Sequence, residues 1–174
     1  MVEVRVEGSV TDADGDEVWS VYDPVFGDQP DQATWRTSVW DRHTARDGFR
    51  LARAWDDGVL VGFGYGYTGR SGQWWTDHVR TTLAPDVADS WLDGHFELVS
   101  IGVLSSARGR GTGRALLRAL LAGLPHERLL LMTTPDPDDP ARRLYAAEGW
   151  TVLGPGTSDR TVVMGRRTRP ALSG

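Results

Sequence analysis

The stretch Phe96-Glu97-Leu98-Val99-Ser100-Ile101-Gly102-Val103-Leu104, followed after three intervening residues by Arg108-Gly109-Arg110-Gly111-Thr112-Gly113-Arg114, decides how this chain is read. Residues 95–104 form a strand pattern that runs into a glycine-rich turn. Residues 112–124 then read as a helix, with Leu116, Ala119, Leu120 and Gly123 on one side. Glycines let backbone N–H groups come close to an anion, and a helix N-terminus adds partial positive charge. Arg108, Arg110 and Arg114 add formal charge, so the loop suits a diphosphate. Its order is R-x-x-G-x-G. The dinucleotide fingerprint G-x-G-x-x-G would need glycine where Arg114 stands, and no acidic ribose partner follows about 20 residues on in a matching unit. The plainer alternative is a glycine-rich turn with solvated arginines.

Outward from this loop, the rest of the chain reads as one α/β domain over 1–168 with a frayed tail at 169–174. Its 174 residues suit a single domain. Val2, Val4 and Val6 alternate with charge as a half-buried strand. Residues 14–22 and 31–46 look helical, and in the second Trp35, Val39 and Trp40 fall on or near one face. Residues 49–55 and 59–67 form a hairpin around Asp56-Asp57-Gly58, and Gly62, Gly64 and Gly66 alternate within its second strand. Residues 69–94 read as a long aromatic-rich connection with a short helix at 86–92. An apolar strand follows at 128–133. Asp138 or Asp139 can cap a helix at 141–148 that begins beside Pro140 and stops at Gly149. Closing strands are expected at 150–153 and 160–166. A hairpin meander followed by alternating strands and helices predicts a mixed central sheet of about seven strands flanked by helices.

Composition excludes several chemistries. There is no cysteine, so disulfides, thiolate metal sites and a cysteine nucleophile are ruled out. All 19 basic residues are arginine, which removes Schiff-base chemistry and the P-loop lysine. No H-E-x-x-H motif appears, and no metal is expected. A net charge of −5 argues against a nucleic-acid-coating protein. With neither a signal-peptide pattern nor an apolar run long enough for a membrane span, a cytoplasmic protein is expected.

A second segment, Ala141-Arg142-Arg143-Leu144-Tyr145-Ala146-Ala147-Glu148-Gly149-Trp150, follows about 30 residues after the loop. Together the two segments resemble the GNAT superfamily of acyl-CoA N-acyltransferases. Residues 108–113 match its pyrophosphate motif, residues 97–103 its preceding E-L-x-x-I-x-V strand, and residues 141–150 its A-x-x-L-Y-x-x-x-G-F/W segment. The match is clear over 95–167 and softer over 1–94. One departure is Asp138, where the family often has Asn.

The resemblance implies acetyl-CoA as cosubstrate. The backbone of Ile101 and Val103 should pair with its pantetheine arm. The loop Arg108, Gly109, Arg110, Gly111, Thr112, Gly113 and Arg114 should hold its pyrophosphate. Tyr145 should stand near the thioester sulfur as proton donor to the leaving thiolate, although helix packing alone would also explain a tyrosine there. Glu97 is the leading candidate to take the amine proton, with His95 next. The aromatics Tyr65, Tyr67, Trp74 and Trp75, with Trp19, Trp35 and Trp40, read as core packing or as walls of an acceptor pocket. The expected reaction is direct acetyl transfer to a primary amine, a small molecule slightly ahead of a protein. An acyl-CoA sensor without activity and a nucleotide- or phosphate-binding module are the alternatives, and a homodimer is left open.

Overall fold

The structure, a computed structural model, describes residues 1–168; the tail expected at 169–174 lies outside the described residues. Strands β1 (Glu3–Glu7), β2 (Arg50–Asp56), β3 (Val59–Thr68), β4 (Phe96–Val103), β5 (Arg128–Thr133), β6 (Thr151–Pro155) and β7 (Val162–Arg167) form a mixed sheet in the order β1-β2-β3-β4-β5-β7-β6. The β4/β5 ladder is parallel, while β1/β2, β2/β3, β5/β7 and β6/β7 are antiparallel. This is the α/β class and strand number expected from the sequence. Two compact units divide the chain. One contains Met1–Tyr67 and Val99–Leu124; the other contains Thr68–Leu98 and the described residues from Pro125 on.

In the first unit, helix α1 (Asp12–Phe26) runs four residues past the predicted end, because Pro24 is accommodated within it. Thr11 and Asp14 close its N-terminus as a capping box. Asp14 has a second duty. Arg53, on β2 and only 5% exposed, donates to Asp14 and Glu17 at 2.7 Å each and also to Glu7 on β1. Glu17 accepts in turn from the Trp55 indole at 2.8 Å. Burial alone would raise the Asp14 carboxyl. Hydrogen bonds from Thr11 and Arg53 outweigh that and hold it below the ordinary carboxylate range.

The helix expected at 31–46 is interrupted. It runs as α2 (Gln32–Trp35), a π turn (Arg36–Trp40) and α3 (Asp41–Thr44). The π turn closes through the Asp41 N–H to the Arg36 carbonyl, five residues back. The extra residue brings Trp35 and Trp40 onto one face, where their rings stack 5.1 Å apart, both buried. They join Val18, Val21, Tyr22 and Phe63 in the core of this unit. The hairpin turn holds Asp57 at φ 47° and Gly58 at φ 80°, the two positive values that a tight two-residue turn requires.

The second unit corrects the expectation for residues 69–94. Besides α5 (Pro85–Trp91), this segment contains α4 (Trp74–Thr82). Trp, Thr, His and Val are mediocre helix formers, so propensity hides this helix from the sequence. Its Val79, with Leu83, Ala88 and Leu92, packs on Leu130 and Val163 of the sheet, and this packing stabilises it. The segment ends in a left-handed pair, Asp93 at φ 72° and Gly94 at φ 82°. His95 braces that turn. Its Nδ1 accepts from the Asp93 N–H at 3.1 Å, and Arg128 donates to the Asp93 carbonyl at 2.8 Å. Gly69 lies so close that a Cβ there would collide with His95 Nε2. Burial, reinforced by Arg128, pushes His95 down to about 4.

Two outcomes follow for stability. Arg53→Met leaves three neighbouring carboxylates without their common cation. We expect a loss of about 3 kcal/mol in urea denaturation at neutral pH; an unchanged midpoint would make the cluster energetically idle. His95 titrates near 4 when folded and about 6.5 when unfolded, so the unfolded chain binds the extra proton between those values. Stability is therefore full above about pH 6.5 and falls as pH drops towards 4, by on the order of 3 kcal/mol from this residue. His43 and His126 are lowered as well and add in the same direction. Denaturation midpoints across this window should slope less steeply in His95→Gln.

Candidate active site

The arginine–glycine loop at 108–114 is built entirely within the first unit. Its foundation is the glycine face of β3. A Cβ at Gly62 would lie 2.9 Å from Leu116 and 3.3 Å from Val103, and one at Gly64 would lie 3.3 Å from Ile101. Absent side chains thus let β4 and helix α6 (Thr112–Leu121) settle onto the sheet. The Leu104 N–H donates to the Val61 carbonyl at 2.8 Å and ends the strand. A short 3₁₀ turn, Ser105–Ala107, leads into the loop.

Gly109 and Gly111 stand at φ 75° and 80°, and no atom lies within 4 Å of where either Cβ would be. Both positions require the left-handed conformation and open onto free space. Gly111 is also the N-cap of α6 and has no side chain to accept from the first-turn amides. Those N–H groups and the helix dipole are what the loop presents. The exposed arginines are positioned by the protein itself. Arg108 Nε donates to the Val103 carbonyl at 3.1 Å. Arg110 donates to the Ser106 carbonyl at 2.6 Å and pairs with Asp56 at 3.3 Å. The hydroxyl of Thr112 is committed to the Ala107 carbonyl at 3.3 Å, so this residue faces inward and can offer a ligand only its backbone.

Glu97 and Tyr145 belong to the second unit. Glu97, 4% exposed, stands opposite Leu130 in the β4/β5 ladder. Tyr145 lies on α7 (Pro140–Ala147). Asp139 caps this helix, accepting from Ala141 and Arg142 at 2.8 and 3.4 Å, with Pro140 at the first position. Asp138 is left exposed, 3.6 Å from Arg143, which resolves the choice between the two aspartates. Tyr145 is 5% exposed, and burial together with the Asp139 charge pushes its phenol up to about 12. It keeps its proton throughout the physiological range.

The structure places two further groups that the sequence left open. His95 is fully buried, its Nδ1 occupied and its Nε2 against Gly69, so it braces a turn and is badly placed to take a substrate proton. The aromatics Trp35, Trp40, Tyr65 and Tyr67 are buried core, and Trp19 packs against the same cluster, while Trp74 is 62% exposed beside His78. His43 lies 2.7 Å from the Tyr65 hydroxyl, and burial with Arg46 and Arg42 pushes it down to about 4. Sequence reasoning missed Phe26. It is the last residue of α1 and 41% exposed, and a Cβ on Gly102 would lie 3.2 Å from its ring. The signal was Phe26-Gly27, an apolar residue before a helix-ending glycine, hidden by ending the helix ahead of Pro24.

Comparison with known proteins agrees with this geometry. The profile of the acetyltransferase (GNAT) family matches residues 16–150. A GCN5-like protein acetyltransferase, Rv2170 of Mycobacterium tuberculosis, is 41% identical over 99 residues, or 53% of this chain. The match covers 48% of that protein, so this chain spans about half its length. Among solved structures, the ribosomal-protein-S18-alanine N-acetyltransferase of Escherichia coli superposes with a TM-score of 0.65 at 16% identity, covering 99% of this chain and 97% of its own. An acetyltransferase from Thermus thermophilus gives 0.69 at 15%, covering 97% of each chain. At such identities the superpositions speak for the fold alone. Among the described residues, no helix is long and apolar enough to cross a membrane. With the profile match spanning both the loop at 108–113 and the Tyr145 helix, the chain belongs to the acetyltransferase (GNAT) family.

Proposed function

We propose that this protein transfers an acetyl group from acetyl-CoA to a primary amine, by direct attack and without a covalent enzyme intermediate. The observation that carries the reading is the loop at 108–113: two left-handed glycines open to free space, before a helix whose N-cap has no side chain. In this reading the pyrophosphate accepts from the loop amides and from Arg108, Arg110 and Arg114. The pantetheine arm pairs with the backbone at Ile101 and Val103. The Val103 carbonyl already accepts from Arg108, which leaves its N–H as the natural partner.

The amine nitrogen attacks the thioester carbonyl, the carbon–sulfur bond breaks, and CoA leaves as thiolate. Glu97 takes the amine proton through water. Tyr145 donates a hydrogen bond to the developing thiolate. A phenol near 12 is several units less acidic than a thiol at about 8.5, so full proton transfer to sulfur runs uphill and hydrogen bonding is its main contribution. For the acceptor, the sequence slightly favours a small-molecule amine. The mycobacterial relative, a protein acetyltransferase by name, supports a protein amine instead. A panel of small amines set against lysine- and N-terminal-amine peptides, read by CoA-thiol release, separates the two; CoA binding without release from any of them would leave a sensor.

Gly111→Asn tolerates the left-handed conformation yet fills the open space beside the helix start. Acetyl-CoA affinity should fall about tenfold or more by calorimetry, with the thermal midpoint nearly unchanged. Equal affinity would remove the loop from cofactor binding. Tyr145→Phe should lower kcat by about 10²–10³-fold with acetyl-CoA affinity intact. Glu97→Gln should lower kcat/KM for the amine, with a loss that shrinks as pH rises and free amine arrives neutral. Wild-type turnover in the first variant, or an unchanged pH profile in the second, would return that residue to a structural role.

A further inference from the structure

We infer that Arg142 is a positioning residue: it fastens helix α7 to the end of β5 and so fixes where the Tyr145 hydroxyl stands. The inference rests on the acetyl-transfer reading above. A helix of eight residues is too short to hold its place by its own hydrogen bonds. The Asp139 cap and the Trp150 N–H, which donates to the Tyr145 carbonyl at 3.0 Å, tie α7 only to its own flanking residues. Arg142 reaches further back. Its Nη1 donates to the Thr134 carbonyl at 3.1 Å and to the Pro135 carbonyl at 2.9 Å, directly after β5. Its Nε is buried and has no hydrogen-bond partner among the described residues. That placement costs free energy, and the two carbonyl bonds are what hold the guanidinium there.

The segment that receives Arg142 is stiff. Pro135 and Pro137 fix their own φ angles. The Asp136 N–H donates to the Thr134 hydroxyl at 3.3 Å, and the Asp138 N–H donates to the Asp136 carboxylate at 2.9 Å. A rigid support transmits position. Arg142 and Tyr145 are three residues apart and so are neighbours on one side of the helix. A turn released at Arg142 therefore carries Tyr145 with it. The phenol cannot correct this by swinging, because it is buried and packs beside Trp150 with ring centroids 6.2 Å apart. The helix places its hydroxyl, and a hydrogen bond to a developing thiolate is sensitive to a displacement of about 1 Å. Arg143, next in the chain, sets the contrast. Its side chain is 68% exposed and meets Asp138 at 3.6 Å, a solvated pair that contributes little.

The test is a double-mutant cycle on the full chain, with butylamine and a lysine-containing peptide as acceptors and CoA-thiol release as the readout. Each variant is assayed well below its own unfolding midpoint. Arg142→Met should lower kcat about tenfold while KM for acetyl-CoA changes less than about twofold. In the Tyr145→Phe background the same substitution should cost less than about twofold, because no hydroxyl remains to be misplaced. Arg142→Lys, whose ammonium can still donate to the two carbonyls, should recover most of kcat. Arg143→Met removes the same charge from the same helix and should match wild type. Where Arg142→Met does not fold, Arg142→Gln, which keeps a shorter donor, runs the same cycle with the same expectation. Equal losses in both backgrounds, or wild-type kcat in Arg142→Met, overturn the positioning role while leaving acetyl transfer standing. Wild-type turnover in Tyr145→Phe removes the role of Tyr145 and this inference with it. Inactivity of the wild type with both acceptors overturns the inference; inactivity with every amine and peptide of the panel overturns acetyl transfer as well.

Discussion

The close contact between the glycine face of β3 and its neighbours is what holds the loop at 108–114 in place. Gly62 and Gly64 leave room that Leu116, Val103 and Ile101 occupy. A methyl group at Gly62 would press on both a helix side chain and the Gly102 carbonyl. In a close-packed interior such pressure shifts elements by tenths of an ångström. The start of α6 and the end of β4 would move with it. Glycine weakens a strand in isolation. Here that local weakness is offset by the burial of Leu116 and by the position it gives the loop.

The loop's charge is organised by the protein's own hydrogen bonds. Each basic side chain apart from histidine is a guanidinium, because there is no lysine. A guanidinium has five donors in a rigid plane, so one edge can hold the protein while another meets an anion. Arg108 fastens to the end of β4 through Nε, and Arg110 spans from Ser106 to Asp56 on the hairpin turn. Positive charge is thereby gathered at one place on a chain whose net charge is −5. A flexible ammonium would have to choose between the two duties.

Burial does opposite things to the titratable groups elsewhere. It makes Tyr145 a weaker acid, which keeps the phenol protonated. It makes His43 and His95 weaker bases, which secures the neutral rings that bond to Tyr65 and Asp93. The histidines therefore serve the framework, and their destabilising effect emerges only in acid. Arg53 solves the problem differently, staying charged in the interior by gathering three carboxylates from β1 and α1.

The strand–loop–helix at 96–114 was legible in the residues themselves, because left-handed glycines, a helix start and arginines in that order are local chemistry. So was the α7 segment, whose cap and proline are adjacent and whose stop glycine closes the same short stretch, and so was the hairpin at Asp57-Gly58. Other features took shape through long-range packing. The π turn that stacks Trp35 on Trp40 exists because their partners lie elsewhere in the core. Helix α4 exists because Leu130 and Val163 cover its apolar side, which no count of propensities reveals. His95 became a brace through Gly69, a residue well before it in the chain. Phe26 gained its place through Gly102, a contact between residues far apart in the chain. Local backbone preference is written in neighbouring residues; burial, and the roles that burial assigns, come from residues that meet only when the chain has folded.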